Sequence, residues 1–238
     1  MLENKIKFLS PLKGLIPDPK PASFFIPQEY KDMAPYVENS SKFATVKKCI
    51  PFLDAYTSGY ILPFPVDIEY TCNHTSENNF EGEFLIHESL PYEFVKYLGV
   101  TGHRNFQISS NLKNPKRTLD NVFKFSNPWT IKTPPGYSCI FVTPFNHVLP
   151  FELISGIVDT DVYEFTVSFP FYWISDPLKR VVLEAGSPMV LVIPFKRESW
   201  KMKIGNLDEK LQEKRKLNFF SNVVNNYKNK TWIKKSYK

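Results

Sequence analysis

At 238 residues, with 42% hydrophobic and 16% aromatic side chains, the chain can bury a sizeable core and is unlike a disordered segment. Twenty prolines against nine glycines disfavour long helices and central ladder positions, and favour short strands with stiff connections. No apolar run approaches the roughly 20 residues that span a bilayer, and the opening residues carry neither an apolar stretch nor a small-residue cleavage site, so no membrane contact and no secretory leader are expected.

The net charge of +6 is unevenly placed. From Lys196 onward there are 13 Lys and Arg against four Asp and Glu, a net +9, which leaves −3 for residues 1–195. A basic tail of this kind suits contacts to nucleic acid or to an acidic partner; it is also the composition of an ordinary solvated helix face. The three cysteines, Cys49, Cys72 and Cys139, are odd in number and lack metal-ligand spacing, so buried, reduced thiols are expected over a disulfide.

In chain order, Pro17–Pro21 is a stiff, extended opening. A short helix is expected over Pro27–Met33, with proline in its first turn. Thr45–Ile50 alternates like a strand that Pro51 stops, and Asp54–Gly59 reads as a turn or a single helical turn. Tyr60–Leu62 and Val66–Tyr70 read as a strand interrupted by Pro63 and Pro65. Residues 72–82 read as polar loop, Phe84–His87 as strand, and 99–118 as a mostly polar connection. The pattern then tightens. Ser138–Val142, Tyr163–Phe169, Val181–Leu183 and Met189–Ile193 are short runs rich in Val, Ile, Phe and Tyr, separated by Pro, Gly and Asp. Residues 133–197 are therefore expected to form one β-unit burying Ile140, Val142, Ile157, Val167, Leu191 and Ile193. Beyond it, Asn206–Leu217 reads as a helix capped by Asn206, with Leu207, Leu211, Leu217, Phe220 and Val224 as an apolar stripe.

Chemistry-bearing patterns are sparse. The four histidines, His74, His87, His103 and His147, show no metal-site spacing, and no nucleophile elbow or P-loop occurs. Glu69, Glu81, Glu83 and Glu88 include candidates for an acid–base pair, although carboxylates flanking a strand more often form its solvated face. Tyr172-Trp173 is either an aromatic binding platform or a packing element of the core or of a subunit interface.

Three motifs carry a resemblance. Pro134-Pro-Gly-Tyr137, Gly156-Ile-Val-Asp-Thr-Asp161 and Glu184-Ala-Gly-Ser-Pro-Met-Val190 occur in the order and spacing of the β-clip core shared by trimeric dUTPases and dCTP deaminases. The resemblance covers about a quarter of the chain. It implies a β-clip core, and with the strand and helix patterns above the expectation is a mainly β fold with that core over 127–204, an N-terminal β-rich elaboration packed on it over 1–126 and a basic C-terminal helix or tail over 205–238. It further implies a homo-oligomer, with a trimer as the first expectation, which the aromatic density of Phe169–Ile174 also favours. Asp159 falls where that family has its water-activating carboxylate, and Asn146, His147, Asp161 and Tyr163 fall where ligand contacts would be made. The chain departs from the family where phosphates are held: Pro144-Phe-Asn-His147 replaces an Arg-Ser-Ser-type segment, and no Gly-rich closing arm follows. A carboxylate in such a turn also serves as a backbone-bonded turn residue. Separately, Pro19–Ser23, Thr45–Cys49, Asn127–Trp129 and Ile193–Trp200 resemble an uncharacterised family of phage proteins, notably of cyanophages. The expectation is a phage-encoded binding or assembly protein, without catalysis or cofactor, in the host cytoplasm or the virion. The alternative is a divergent nucleotide-processing enzyme with Asp159 as general base and Mg²⁺ as its cofactor.

Overall fold

Runs of β-branched and aromatic residues, punctuated by proline, glycine and aspartate, become strands along most of the chain; strands hold 33% of the residues and helices 18%, so the protein is mainly β. The computed structural model describes residues 5–38, 40, 43–76, 79–87, 91–95, 97–103, 107–108, 115–119, 121–220 and 227–238. They group into two units, Met1–Pro21 with Gly59–Arg197, and Ala22–Ser58 with Glu198–Lys238.

The first unit is built from antiparallel sheets, and among the described residues no barrel closes. Its strands are β1 (Lys7–Leu9), β2 (Lys20–Pro21), β3 (Tyr60–Pro63), β4 (Asp67–Ser76), β5 (Asn79–His87), β6 (Val100–His103) and β7 (Val122–Phe125). They continue as β8 (Thr130–Lys132), β9 (Tyr137–Val142), β10 (Phe151–Leu153), β11 (Gly156–Val158), β12 (Phe169–Trp173), β13 (Val181–Leu183) and β14 (Pro188–Lys196). The sheets run β11-β9-β14-β3-β2, β10-β12-β7-β6, β13-β4-β5 and β1-β8. In the five-stranded sheet β14 lies between β9 and β3, from Leu191 opposite Val142 to Lys196 opposite Tyr137 on one side. Its other neighbour reaches only to Val192, so Pro194 lies where the strand is paired on one side alone, a position that tolerates a missing donor.

Aromatic packing fills the core. Phe125 and Phe171, from adjacent strands, stack at 3.9 Å with their planes 9° apart; Phe151 meets both edge-on, and Phe64 meets Phe125 edge-on. Trp173 stacks on Tyr70 at 4.3 Å. Phe169, Phe171, Tyr172 and Trp173 are all buried within one chain, so Tyr172-Trp173 packs the core and the aromatic density of that strand does not call for a subunit interface.

In this unit four sequence expectations need correction. Of the six residues expected in the core, only Leu191 is buried; in β9 the buried residues are Ser138, Cys139 and Phe141, while Ile140 and Val142 are half-exposed and Ile157 is 64% exposed. Ser-Cys-Ile-Phe-Val is apolar on both phases of its alternation, so the pattern does not say which face meets the core, and a one-residue choice inverts every side chain. Tyr163–Ser168 is not strand, which begins at Phe169. The expected loop at 72–82 is instead the β4–β5 hairpin, paired from Asp67 opposite His87 to Ser76 opposite Asn79. Gly82 breaks no strand there: a Cβ would come within 2.6 Å of the Tyr70 ring, so glycine is what lets the neighbouring tyrosine lie flat. Of the expected connection 99–118, Val100–His103 is strand.

In the second unit, Pro51 starts a helix and does not stop a strand. Val46–Lys48 is a 3₁₀ turn capped by the Thr45 hydroxyl, which accepts from the Lys47 N–H at 3.3 Å, and α2 (Ile50–Thr57) follows with Pro51 in its first turn, where the absent N–H is not needed. The shorter helix α1 (Gln28–Asp32) supplies Tyr30, which meets Phe52 and Tyr56 of α2 in a ring cluster with Lys47 above it. Trp232 Nε1 donates to both carboxylate oxygens of Asp54 at 3.1 Å, tying the C-terminal segment to α2. The C-terminal helix is Glu209–Phe220, capped by Asp208 and not by Asn206, since Asp208 Oδ1 accepts from the Leu211 N–H at 2.7 Å. Leu207 and Leu211 are exposed, so no buried stripe forms there; the side chains of Leu217 and Phe220, and Val224 altogether, lie outside the described residues.

Candidate functional site

Pro134-Pro-Gly-Tyr137 makes a turn in which the Tyr137 N–H donates to the Pro134 carbonyl at 3.3 Å. Gly136 takes φ 85°, the left-handed value demanded at the third position of a type II turn. The turn feeds β9, and β11 returns beside it to end in Asp159-Thr160-Asp161. Tyr163 and Val162 donate their N–H groups to the Asp159 carbonyl at 2.9 and 3.1 Å, closing this second turn. Antiparallel register then delivers a third component: Lys196 lies opposite Tyr137, so Arg197 falls beside Gly136, and its N–H donates to the Gly136 carbonyl at 2.9 Å.

These pieces form one closed network. The guanidinium of Arg197 meets Asp161 as a bidentate pair, Nη1 to Oδ1 at 2.9 Å and Nη2 to Oδ2 at 2.5 Å, and the Gly136 N–H adds a bond to Oδ2 at 2.8 Å. Only 5% of the Asp161 side chain is exposed. The hydrogen bonds from Arg197 and then from Gly136 hold its carboxyl well below the usual carboxylate range. Nη1 also donates to the Tyr137 carbonyl and to Ser138 Oγ, each at 3.1 Å. Asp159 is 57% exposed, yet its Oδ1 accepts from Ser138 Oγ at 2.6 Å and lies 3.2 Å from Arg197 Nη1. Between the two carboxylates, buried Thr160 meets the Thr133 hydroxyl at 2.7 Å and donates to Cys139 Sγ at 3.3 Å. Burial pushes the Cys139 thiol up to about 11, so it stays protonated.

At the opposite end of β9 lies a cleft of about 400 Å³, lined in part by Thr143, Asn146, His147, Glu152 and Leu153. Asn146 has φ 60° in the turn that His147 closes by donating its N–H to the Pro144 carbonyl at 3.3 Å, a backbone region that asparagine tolerates. His147 is half-buried, and desolvation lowers its pKa, so the imidazole is neutral near pH 7. Thr143 Oγ1 accepts from the Leu153 N–H at 2.9 Å. Among the described residues the lining carries Glu152 and neither lysine nor arginine, a poor match for a phosphate and a fair one for a small neutral or cationic hydrogen-bonding ligand.

The residues singled out in the sequence therefore fall into two places. Asp159, Asp161 and Tyr163 share the carboxylate turn, where the Tyr163 carbonyl accepts from Lys132 Nζ at 2.8 Å; Asn146 and His147 line the cleft. Ser138 and Val142, at the two ends, are separated by four residues of strand, about 13 Å at the usual strand rise. Arg197 is the residue that sequence reasoning missed. Its signal is one of register: the strand after the third motif must run antiparallel to β9 for its terminal cation to reach the Gly136 turn.

Elsewhere, Glu69 is buried and receives Arg180 bidentately, Nε to Oε1 at 2.5 Å and Nη2 to Oε2 at 2.7 Å. Glu83 is an exposed residue opposite Thr71; the side chain of Glu81, and Glu88 altogether, lie outside the described residues. A second cleft, of about 490 Å³, lies within the other unit between Thr45, Ile50 and Tyr227, with Cys49 at its wall. Of the cysteines expected to be buried, Cys139 is, but Cys49 is exposed. Among the described residues the cysteines form no disulfide, no group of three His, Cys, Asp or Glu is gathered as metal ligands, and no helix is long and apolar enough to cross a membrane. The chain matches no protein-family model, no curated protein and no solved structure.

Proposed function

We propose that the chain is a phage-encoded binding or assembly protein with a β-clip core, and that the Gly156–Asp161 motif acts as a structural latch and not as a catalytic centre. One observation carries the proposal. The carboxylates that resemble catalytic ones are bonded by the chain's own Arg197, Ser138 and Gly136. A general base needs its carboxylate turned toward a positioned water and substrate, with donors or cations across from it to stabilise developing charge. Here the nearby cation is already paired with Asp161, and the cleft with room for a ligand is at the other end of the strand. Support for the β-clip assignment is that β9, entered from the first motif, β11, within the second, and β14, begun in the third, are neighbours in one sheet.

A second reading, a divergent nucleotide-processing enzyme, draws on the exposure of Asp159, which leaves part of that carboxylate open to solvent. The experiment that separates the two is pyrophosphate and ammonia release from dUTP and dCTP with Mg²⁺, comparing the wild type with Asp159→Asn. No turnover by either protein is expected. Turnover by the wild type that Asp159→Asn abolishes would make the chain an enzyme.

A further inference from the structure

We propose that residues 198–207 are an arm by which one copy of this chain docks on the exposed Ile157–Phe165 surface of a second copy. The inference rests on the assembly reading above and names its partner and its contact.

The arm leaves β14 directly. From Glu198 to Leu207 the chain forms no helix and pairs with no strand, yet Trp200, Met202 and Ile204 alternate with Lys201 and Lys203. Period-two alternation is the signature of a strand with one apolar face. Here that face meets only solvent: Trp200 is 87%, Met202 88% and Ile204 85% exposed. Single exposed apolar residues are ordinary, but three large ones in phase on a segment that lies outside every sheet mark a contact surface.

The receiving surface has the complementary pattern. In the five-stranded sheet β11 is an edge strand, and the edge at its far side is the two-residue β2, which ends in a proline. β11 is thus the longer and proline-free of the two edges, the one beside which a further segment can lie. It presents Ile157, and the turn beyond it exposes Val162, Tyr163 and Phe165, with the last two rings in contact at 5.8 Å. Among these apolar side chains stand the exposed residues Asp159 and Glu164, as Lys201 and Lys203 stand among those of the arm. Apolar meets apolar and lysine meets carboxylate. This charge pattern selects the occupant. An anionic membrane or a nucleic acid would satisfy the lysines of the arm, but not the exposed carboxylate of Glu164 or the part of Asp159 that Ser138 and Arg197 leave open, and the β11 surface would remain bare. A second copy covers both surfaces with one contact, which, passed from copy to copy, closes a ring or, exchanged, a pair.

The test is light scattering of the full chain over the micromolar range, with two variants changed only at exposed positions: Trp200→Ser/Met202→Ser/Ile204→Ser in the arm and Ile157→Ser/Phe165→Ser on the surface. The wild type is expected above its 27.7 kDa chain mass, with association at least tenfold weaker in each variant. In mixtures of ¹⁴N and ¹⁵N chains, carbodiimide is expected to join Lys201 or Lys203 of one isotope to Asp159 or Glu164 of the other. An oligomer that both variants leave intact would overturn the arm contact while sparing the assembly reading. A monomer at all concentrations would overturn the arm contact and remove self-assembly from that reading, and a monomer that floats with anionic phospholipid vesicles through Trp200 would make the arm a membrane contact.

Discussion

Thr160 stands between the two carboxylates of the turn, and replacing it tests whether the motif is a latch. Thr160→Val exchanges a hydroxyl for a methyl of nearly equal size at a site only 1% exposed, so no cavity opens. What is lost is the 2.7 Å bond with Thr133 Oγ1 and the 3.3 Å bond to Cys139 Sγ. A protein hydrogen bond contributes about 0.5–1.5 kcal/mol net, so the pair is worth about 1.5–2 kcal/mol with the thiol bond the weaker. Thr133 keeps its contact to the Tyr137 carbonyl at 3.3 Å, so no buried hydroxyl is orphaned. Burying the added methyl returns about 0.8 kcal/mol. The expected net loss is about 1 kcal/mol, or about 2–4 °C in Tm for a chain of this size. Urea unfolding followed by circular dichroism should show a lower midpoint at unchanged m. The decisive measurement is the cycle with Thr133→Val: if the hydroxyls are bonded, the two changes should couple by about 1 kcal/mol. Single effects that simply add, to within about 0.3 kcal/mol, would refute the latch at this position.

Four further outcomes are expected. Because desolvation lowers the His147 pKa in the folded protein, the unfolded chain takes up that proton first; stability present above about pH 6.5 is then lost as pH falls toward the folded pKa. His147→Gln should flatten that slope in denaturation curves taken between about pH 7 and 5. Gly59→Ala should destabilise by more than the roughly 1–2 kcal/mol of a left-handed residue, since Gly59 has φ 76° and a Cβ there would collide with the Val192 carbonyl; a chemical melt within 1 kcal/mol of wild type would count against the structure. In the native protein a thiol reagent should modify Cys49 readily and Cys139 only on unfolding, since Cys139 is buried and its thiol is pushed up to about 11. Arg197→Gln should lower Tm more than Asp159→Asn does, because Arg197 binds buried Asp161 while Asp159 remains half in solvent.

Several strands are legible because proline and glycine mark their ends: the expected runs Ser138–Val142, Val181–Leu183 and Met189–Ile193 fall within the strands Tyr137–Val142, Val181–Leu183 and Pro188–Lys196, the last running past Pro194. Their facing is not, because Ser138–Val142 is apolar on both phases and only the sheet packed against it decides which side is buried. The β4–β5 hairpin was hidden by composition, as Thr71-Cys-Asn-His-Thr75 lacks large apolar residues and is held by cross-strand pairing that no local pattern reports. Pro51 stops a strand in the sequence pattern, but proline is equally at home in a first helical turn, and the Thr45 hydroxyl that caps Val46–Lys48 marks the helical start. Asp159 and Asp161 were visible as a motif. Which of them is buried, and what binds it, depended on Arg197, placed there by the pairing of β14 and thus by long-range register.

That register also connects the latch to the arm. β14 ends at Lys196; the next residue is fixed three ways, through its N–H to the Gly136 carbonyl, through its guanidinium to Asp161, and through Nη1 to the Tyr137 carbonyl. The residue after that begins the segment whose alternating apolar side chains meet only solvent. A strand that continues past the edge of its sheet frays unless its last residue is tied down, because each further residue adds chain entropy with no pairing to offset it. The bidentate Arg197–Asp161 pair supplies the tie at the position where pairing stops. On the proposed reading, the carboxylate motif anchors the end of β14, where pairing stops, while the Asp159 side chain, bonded by Ser138 on one oxygen, keeps 57% of its surface in solvent.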